Sequence, residues 1–384
     1  MKIQKIIAAV IMLFVMLSGF NGCVQQETKE LIIVGTFDGE GGEGLYVFSF
    51  DRENLGFELL HTISDRLSPS FQAVHPTMPV VYSASRSPFS EGSDHQTIGA
   101  YSADKETGML SLINEQSAKG IAPAHVSVDP LGSFVYVSNY TSGNVGMYPI
   151  RDDGGLDAAS DVVQHSGSSI NPNRQQRAHA HAADPSPDGR FLYVSDLGMD
   201  KIMIYEVDRQ QKILSPASIP WFENTPGAGP RHLSFHPNGN YAYSVEELTS
   251  TIAVLRVNKT TGALEQVQRV AMLPDDFEGN NTAADIHVSP DGKFLYASNR
   301  GHDSMVIFAI DESSGELSLT GYESTVGQHP RNFMIDKSGE LVFVANRDSN
   351  HIVIFRRDPV TGALNYTGTE LMVPLAVCVT SLNL

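Results

Sequence analysis

The chain is predicted to fold as an all-β, seven-bladed β-propeller whose N- and C-terminal strands share one blade. Three observations predict this. A turn-and-strand unit recurs six times along the chain. Apolar residues alternate with period 2, with no helix-period stretch between Leu31 and Leu384. Strand patterns without a complete unit of their own remain at both ends.

The recurring unit is a turn, an alternating strand and a polar end. Its copies are HPTMPVVYSASR from His75, DPLGSFVYVSNY from Asp129, SPDGRFLYVSDL from Ser186, HPNGNYAYSVEE from His236, SPDGKFLYASNR from Ser289 and DKSGELVFVANR from Asp336. Aligned on Pro76, Pro130, Pro187, Pro237, Pro290 and Lys337, they repeat at intervals of 54, 57, 50, 53 and 47 residues. A further strand follows most copies (NVGMYPI, KIMIYEVD, TIAVLRVN, SMVIFAID, HIVIFRRD), then a Gly-containing turn and an outer strand. Four-strand units of about 50 residues are propeller blades, which close radially and leave only short protected edges.

The inner strand of each blade precedes its turn: PSFQAVHP, PAHVSVDP, HAHAADPSP, PRHLSFHP, AADIHVSP and PRNFMIDK. The seventh blade takes LIIVGTF and GLYVFSFD as middle strands and GFELLHTI as outer strand. Its inner strand is then AVCVTSL, Ala376 to Leu382, from the opposite end of the chain.

The propeller domain is placed at residues 31–384. Ahead of it, residues 1–22 read as an export signal, with Lys2 and Lys5 before the apolar run IIAAVIMLFVMLSGF. Gly22-Cys23 reads as the end of a lipobox, and residues 23–30 as a polar tether. Cys23 is the expected lipidation site, with ordinary signal cleavage as the alternative, because Phe20 and Asn21 depart from the usual pattern. An exported, cell-envelope protein held to the membrane only through that lipid anchor is expected. The second cysteine, Cys378, lies in an apolar run and reads as a buried core residue, so packing rather than a disulfide holds the fold. A net charge of -18, from 44 acidic and 26 basic residues, argues against nucleic acid. A monomer with no cofactor and no metal is expected.

In a blade, the start of the inner strand and the end of the second strand meet at one rim of the central channel. Ten residues past each aligned position come Arg86, Tyr140, Leu197, Glu247, Arg300 and Arg347. Around the inner-strand starts come His125, His179 with His181, Arg231 with His232, Asp285 with His287, and Arg331. Guanidiniums that converge repel one another unless carboxylates or an anionic ligand compensate them. This rim is therefore the candidate site, whereas the Pro, Asp and Gly of the SPDG-type turns on the other face serve turn geometry.

GAGPRHLSFHPNGNYAY, the EEL at Glu246, AADIHVSPDGKFLYASNRG and HAHAADPSPDGRFLYVSDLG resemble the seven-bladed lactonase family over nearly all of Leu31 to Leu384. That family includes bacterial 6-phosphogluconolactonases and fungal 3-carboxy-cis,cis-muconate cyclases. The resemblance implies metal-independent lactone chemistry at His179 or His181, Arg231, Glu247 and Arg300. Substrate contacts are expected from His181, His232, Asp285, His287, Arg347 and Arg86. The substrate expected is a small sugar lactone or a related carboxylated lactone.

Lactone hydrolysis needs an activated water and a stabilised oxyanion. His179 is the preferred general base, since an imidazole titrates near working pH. Glu247, its pKa depressed by the arginines, would orient water or substrate, and the arginines would form an electrophilic clamp. Two rivals stand beside hydrolysis: a muconate-type lactone cyclase, and a non-catalytic exported propeller that binds a glycan or a protein. The histidines at 125, 179, 181, 232 and 287 come from different blades without a close ligand motif beyond HAH, which disfavours a metal centre.

Overall fold

The computed structural model describes residues 30–39, 41–64, 68–86 and 96–384. The expected signal peptide, most of the tether and Cys23 lie outside the described residues. Seven four-stranded antiparallel sheets form the ring, and the described residues contain no helix. The sheet that joins the two ends runs, in spatial order, Ala376–Asn383, Glu30–Thr36, Leu45–Asp51 and Gly56–Ile63, as the sequence predicts. Its closing register pairs Leu31 with Leu382 and Gly35 with Cys378. Cys378 is buried, and burial pushes its thiol up to about 12.

Period-2 alternation sets the strands, but it does not set their burial. The second strand of most blades, such as Phe134–Asn139, Tyr241–Glu246 and Leu341–Asn346, is buried on both faces. Each blade lies face to face with its neighbours, so side chains pointing either way meet another sheet. Tyr243, Val254, Ile286, Leu295 and Phe308, from two successive blades, form one such seam. Outer strands such as Leu317–Ser324 cover only one face and leave the other to solvent.

A recurring tyrosine staples these seams. The hydroxyls of Tyr82, Tyr193, Tyr243 and Tyr296 each donate to a glycine carbonyl in the next blade's outer turn: Gly154, Gly262, Gly315 and Gly362, at 2.7–3.1 Å. Tyr136 occupies the same place, but the turn it faces reads DRQQK instead of a Thr-Gly type. Its buried hydroxyl has no partner. That seam is closed by Arg209, which pairs with the buried Asp129.

The channel ends of the sheets are irregular in a consistent way. On each inner strand the pairing register skips at the mouth: at Ser70, Ala124, His181, Arg231, Ala284–Asp285, Arg331 and Val377. A bulge adds a residue without a ladder partner and re-aims its side chain. Residues that alternation would send into a seam are thereby released to the channel.

The tyrosine staples give an internally controlled test. Tyr193→Phe, which leaves the Gly262 carbonyl unpaired, should cost about 1 kcal/mol in chemical denaturation. Tyr136→Phe, which removes a hydroxyl that has no partner, should be neutral or stabilising. Equal losses in both variants would show that the staple contributes nothing.

Candidate active site

The sequence WFENTPGAGPRHLSF brings Arg231 in on an inner strand, and SVEEL brings Glu247 in just past the second strand of the same blade. The two halves of the Glu246-Glu247 pair separate. Glu246 turns into the blade, where Arg269 Nε lies 2.7 Å away and Thr251 and Asn224 donate to it. Glu247 turns to the channel mouth, where its Oε2 lies 3.1 Å from Arg231 Nε and 3.1 Å from Arg300 Nη2. The Arg231 contact is an ion pair too oblique for a hydrogen bond, since Nε has no aligned acceptor.

Both guanidiniums are fixed from behind by backbone carbonyls. Arg231 Nη1 donates to Ala284 O at 2.5 Å, and Arg300 Nη2 donates to Ala283 O at 2.7 Å. Arg300 Nε donates to Thr282 O at 3.3 Å. Ala284 lies inside the break in pairing between Ala283 and Ile286, which leaves its carbonyl without a ladder partner and available to Arg231. Burial pushes the Glu247 carboxyl up, but Arg300, Arg231 and Arg174 together outweigh it and hold it at about 2. Burial, with Arg300 adding repulsion, draws Arg231 down to about 10 against the attraction of Glu247 and Asp285.

Above this triad opens a cavity of about 280 Å³, walled by Glu247, Arg300, Arg174, Arg331, His181 and Tyr140, with Arg86, Thr282, His329 and Arg347 completing its lining. A wider cleft of about 970 Å³ lies on the other side, around Arg52 and Ser338. It is a poorer candidate, because Arg52 there is engaged by Glu30 and Asp336. Among the described residues, no group of three or more His, Cys, Asp or Glu is placed to hold a metal ion.

The predicted residues fall into three positions. Glu247, Arg300, His181, Arg86 and Arg347 line the cavity. Arg86 stacks 5.3 Å from the Phe37 ring centroid, and Arg347 pairs with Asp348 at 2.5 Å. Arg231 sits just below them and is almost wholly buried. His232, Asp285 and His287 do not line this cavity; His232 and Asp285 are buried, whereas the His287 side chain is 39% exposed. Asp285 accepts from His232 Nδ1 at 2.7 Å, His287 Nε2 at 3.1 Å and Asn332 Nδ2 at 2.6 Å. The amides of Ile286 and Phe333 also donate to it. Burial would raise its pKa, but His287 and His232 hold it well below the carboxylate range.

The two histidines of the HAH segment also separate. His179 stacks on the Tyr140 ring at 4.5 Å, its Nδ1 lies 2.9 Å from the Tyr140 carbonyl, and its amide donates to Asp196. It does not line the cavity. His181, at the bulge, does, and its buried Nδ1 has no partner. Burial, reinforced by Arg231, His232, Arg331 and Arg300, pushes its pKa well below the usual imidazole range.

Arg174 is not read from the sequence, and Arg331, which the register places at the rim, is given no role in the site there. Arg174 Nη2 donates to Glu247 Oε1 at 2.5 Å and to Tyr140 Oη at 3.3 Å. It comes from the long connection between the strands Asp161–Gln164 and Ala180–Pro185. The signal for it was the interval of 57 residues, the longest of the repeat, since a long loop over a rigid scaffold is where function concentrates. Arg331 holds the same register position as Arg231, in PRN against PRH. It stacks 5.0 Å from the Phe37 ring and, among the described residues, has no carboxylate partner.

A ring-closed seven-bladed propeller with a cationic channel mouth defines the class of protein. The family described as lactonase, 7-bladed beta-propeller, matches residues 31–381, and the chain belongs to that family. It is 36% identical over 309 residues to a 6-phosphogluconolactonase of Bacillus subtilis (strain 168), covering 80% of this chain and 86% of the relative. It is 38% identical over 314 residues to a 6-phosphogluconolactonase of Formosa agariphila, covering 80% and 86%. The solved structure of the Pseudomonas aeruginosa periplasmic gluconolactonase superimposes with a TM-score of 0.86 at 30% identity, covering 92% of this chain and 99% of that one.

Glu247 therefore carries stability as well as charge. One pKa unit is worth about 1.4 kcal/mol, so a carboxyl drawn from 4.5 to about 2 contributes on the order of 3 kcal/mol. Because the folded value is the lower one, this contribution is complete above pH 4.5 and is lost as the pH falls towards 2. Glu247→Gln should lose roughly that much in urea denaturation at pH 7, with the deficit shrinking as the medium is acidified. A deficit independent of pH would refute the assignment.

Proposed function

We propose that this protein hydrolyses a sugar lactone at the channel mouth, with guanidinium, imidazole and carboxylate groups and no metal. The observation that carries the reading is the Glu247 carboxylate held by Arg231 and Arg300 at 3.1 Å, open to a cavity of about 280 Å³. The relatives named above as 6-phosphogluconolactonases and a gluconolactonase support the lactone class. Residues 1–22 read as an export signal, and one relative is described as periplasmic, which favours an exported enzyme.

In the proposed reaction, water attacks the lactone carbonyl carbon and gives its proton to an imidazole. His181 is better placed for this than His179, because it lines the cavity and His179 does not. Arg300 and Arg331 would stabilise the oxyanion. Arg300 is already locked by two carbonyls, so little reorganisation is needed as charge develops. Collapse of the tetrahedral intermediate breaks the ring C–O bond, and the imidazolium returns its proton to the alkoxide. Glu247, ionised throughout, would orient the water. A lowered imidazole pKa keeps His181 neutral and ready to accept, and a negative charge on the substrate would raise its basicity towards working pH.

Purified protein should open glucono-δ-lactone or its 6-phosphate faster than buffer, read by acid release. Arg300→Ala should abolish turnover with its cooperative thermal transition retained. Wild-type protein no faster than buffer on both lactones would sink the reading. His181→Gln should lower kcat by about 10²-fold or more, as expected for a lost proton acceptor, and His179→Gln by much less. The reverse order would return the base to His179.

A further inference from the structure

The two oxygens of Glu247 are not equivalent. Oε2 faces Arg231 and Arg300, whose side chains are 2% and 7% exposed and are anchored by carbonyls of residues 282–284. Oε1 accepts from Arg174, whose side chain is 37% exposed. Among the described residues, that guanidinium has, apart from Glu247, only the long contact with Tyr140 Oη. Its backbone, by contrast, is pinned. The Arg174 amide donates to Asn171, and the adjacent Gln175, fully buried, donates from Nε2 to Leu197 O and accepts the Asn171 amide at Oε1. The loop is nailed down while its arginine tip can turn about a fixed Cα.

The cavity around that tip carries a surplus of positive charge. Among the described residues, Arg86, Arg174, Arg300, Arg331 and Arg347 line it with Glu247 as the only carboxylate in the wall, and Asp348 is engaged by both Arg347 and His329. Burial and the neighbouring Arg231, Arg300 and Arg86 press the pKa of Arg331 well below the guanidinium range. A second anion in the cavity would relieve this repulsion, and Arg174, the one of the three arginines on Glu247 that no backbone carbonyl of the described residues anchors, can swing towards it at the cost of its contact with Oε1.

We propose, on the lactonase reading above, that Arg174 is a removable cap on Glu247 and the residue by which the enzyme reads a negative substituent on its lactone. In the free protein Arg174 occupies Oε1. A phosphate or carboxylate on the substrate draws it away through paired guanidinium donors. Oε1 is then released to accept from the attacking water. Removing one of three guanidiniums also makes the Glu247 carboxylate a stronger acceptor. Recognition of the remote charge and activation of the acid are thus one movement, so binding energy from a non-reacting group is spent on the chemistry.

The test compares wild type, Arg174→Gln and Arg174→Lys on three substrates: a neutral δ-lactone, its phosphate ester and a carboxylated lactone. It also titrates each protein with inorganic phosphate by calorimetry. Arg174→Gln should lose at least tenfold more in kcat/KM on a charged lactone than on the neutral one and should bind phosphate correspondingly more weakly. Arg174→Lys, which keeps the charge without the fork, should fall between. The charged substrate that shows the effect identifies phosphate or carboxylate as the group read. Equal losses on neutral and charged lactones, or unchanged phosphate affinity, would overturn the role of Arg174. Wild type inert towards all three lactones would instead defeat the lactonase reading, while the phosphate titration would still decide whether Arg174 captures an anion.

Discussion

The channel mouth depends on a buried carboxylate that never reaches it. Where seven inner strands converge, side chains from every blade compete for one small volume, and polar groups taken there must satisfy one another. Asp285 performs that task. It accepts from His232, His287, Asn332 and two backbone amides, and so joins the inner strands of three blades. With His232 Nδ1 committed to Asp285, its Nε2 is left to face Arg231 Nη1 at 3.0 Å. The arginine is thereby held from below by a neutral ring and from the side by Glu247. A cationic group buried this deeply would otherwise carry a heavy desolvation penalty.

Above that hub the chemistry is layered by exposure. Arg231 is scarcely exposed and serves to hold Glu247, Arg300 lies on the wall with its orientation set by two carbonyls, and Arg174 reaches in from solvent. In the proposed reaction the fixed groups would give the pre-organisation that electrostatic stabilisation of an oxyanion requires, and the more exposed Arg174 would leave room for selection among substrates. A protein of net charge -18 that concentrates arginines at one mouth also sets up a local field opposite in sign to its overall charge. On the proposed reading, an anionic substrate repelled by most of the surface would be drawn to that opening.

Most of the architecture was legible in the sequence, because a propeller repeats one decision. Six copies of the same turn and strand fixed the blade length, and the leftover patterns at the two ends had nowhere to pair but with each other. The meeting of Arg231, Glu247 and Arg300 followed from that register alone. What escaped was whatever breaks the repeat. Period-2 reasoning cannot see a bulge, and a bulge is what exposes His181 and sets it apart from His179. The doubled irregularity near Asp285 leaves the Ala284 carbonyl free to grip Arg231. Arg174 was hidden because its loop has no counterpart in the other blades, so alignment of the copies gave it no column. The register had already singled out Glu247 over Glu246, and the structure agrees, turning Glu246 into the blade and Glu247 to the cavity.

Closure of the ring by Ala376–Asn383 against Glu30–Thr36 has a consequence for how the protein comes into being. The closing strand is the last of the described strands to leave the ribosome, and its partner is the first. Until then the partner has a naked edge, the sort of surface that recruits stray strands. Six blades can form as synthesis proceeds, but the hydrogen bonds that complete the circle wait for the final residues. A nascent chain of this design therefore keeps that edge open from the synthesis of Glu30–Thr36 until Ala376–Asn383 is made, and any helper that guards it must cover the edge for that interval.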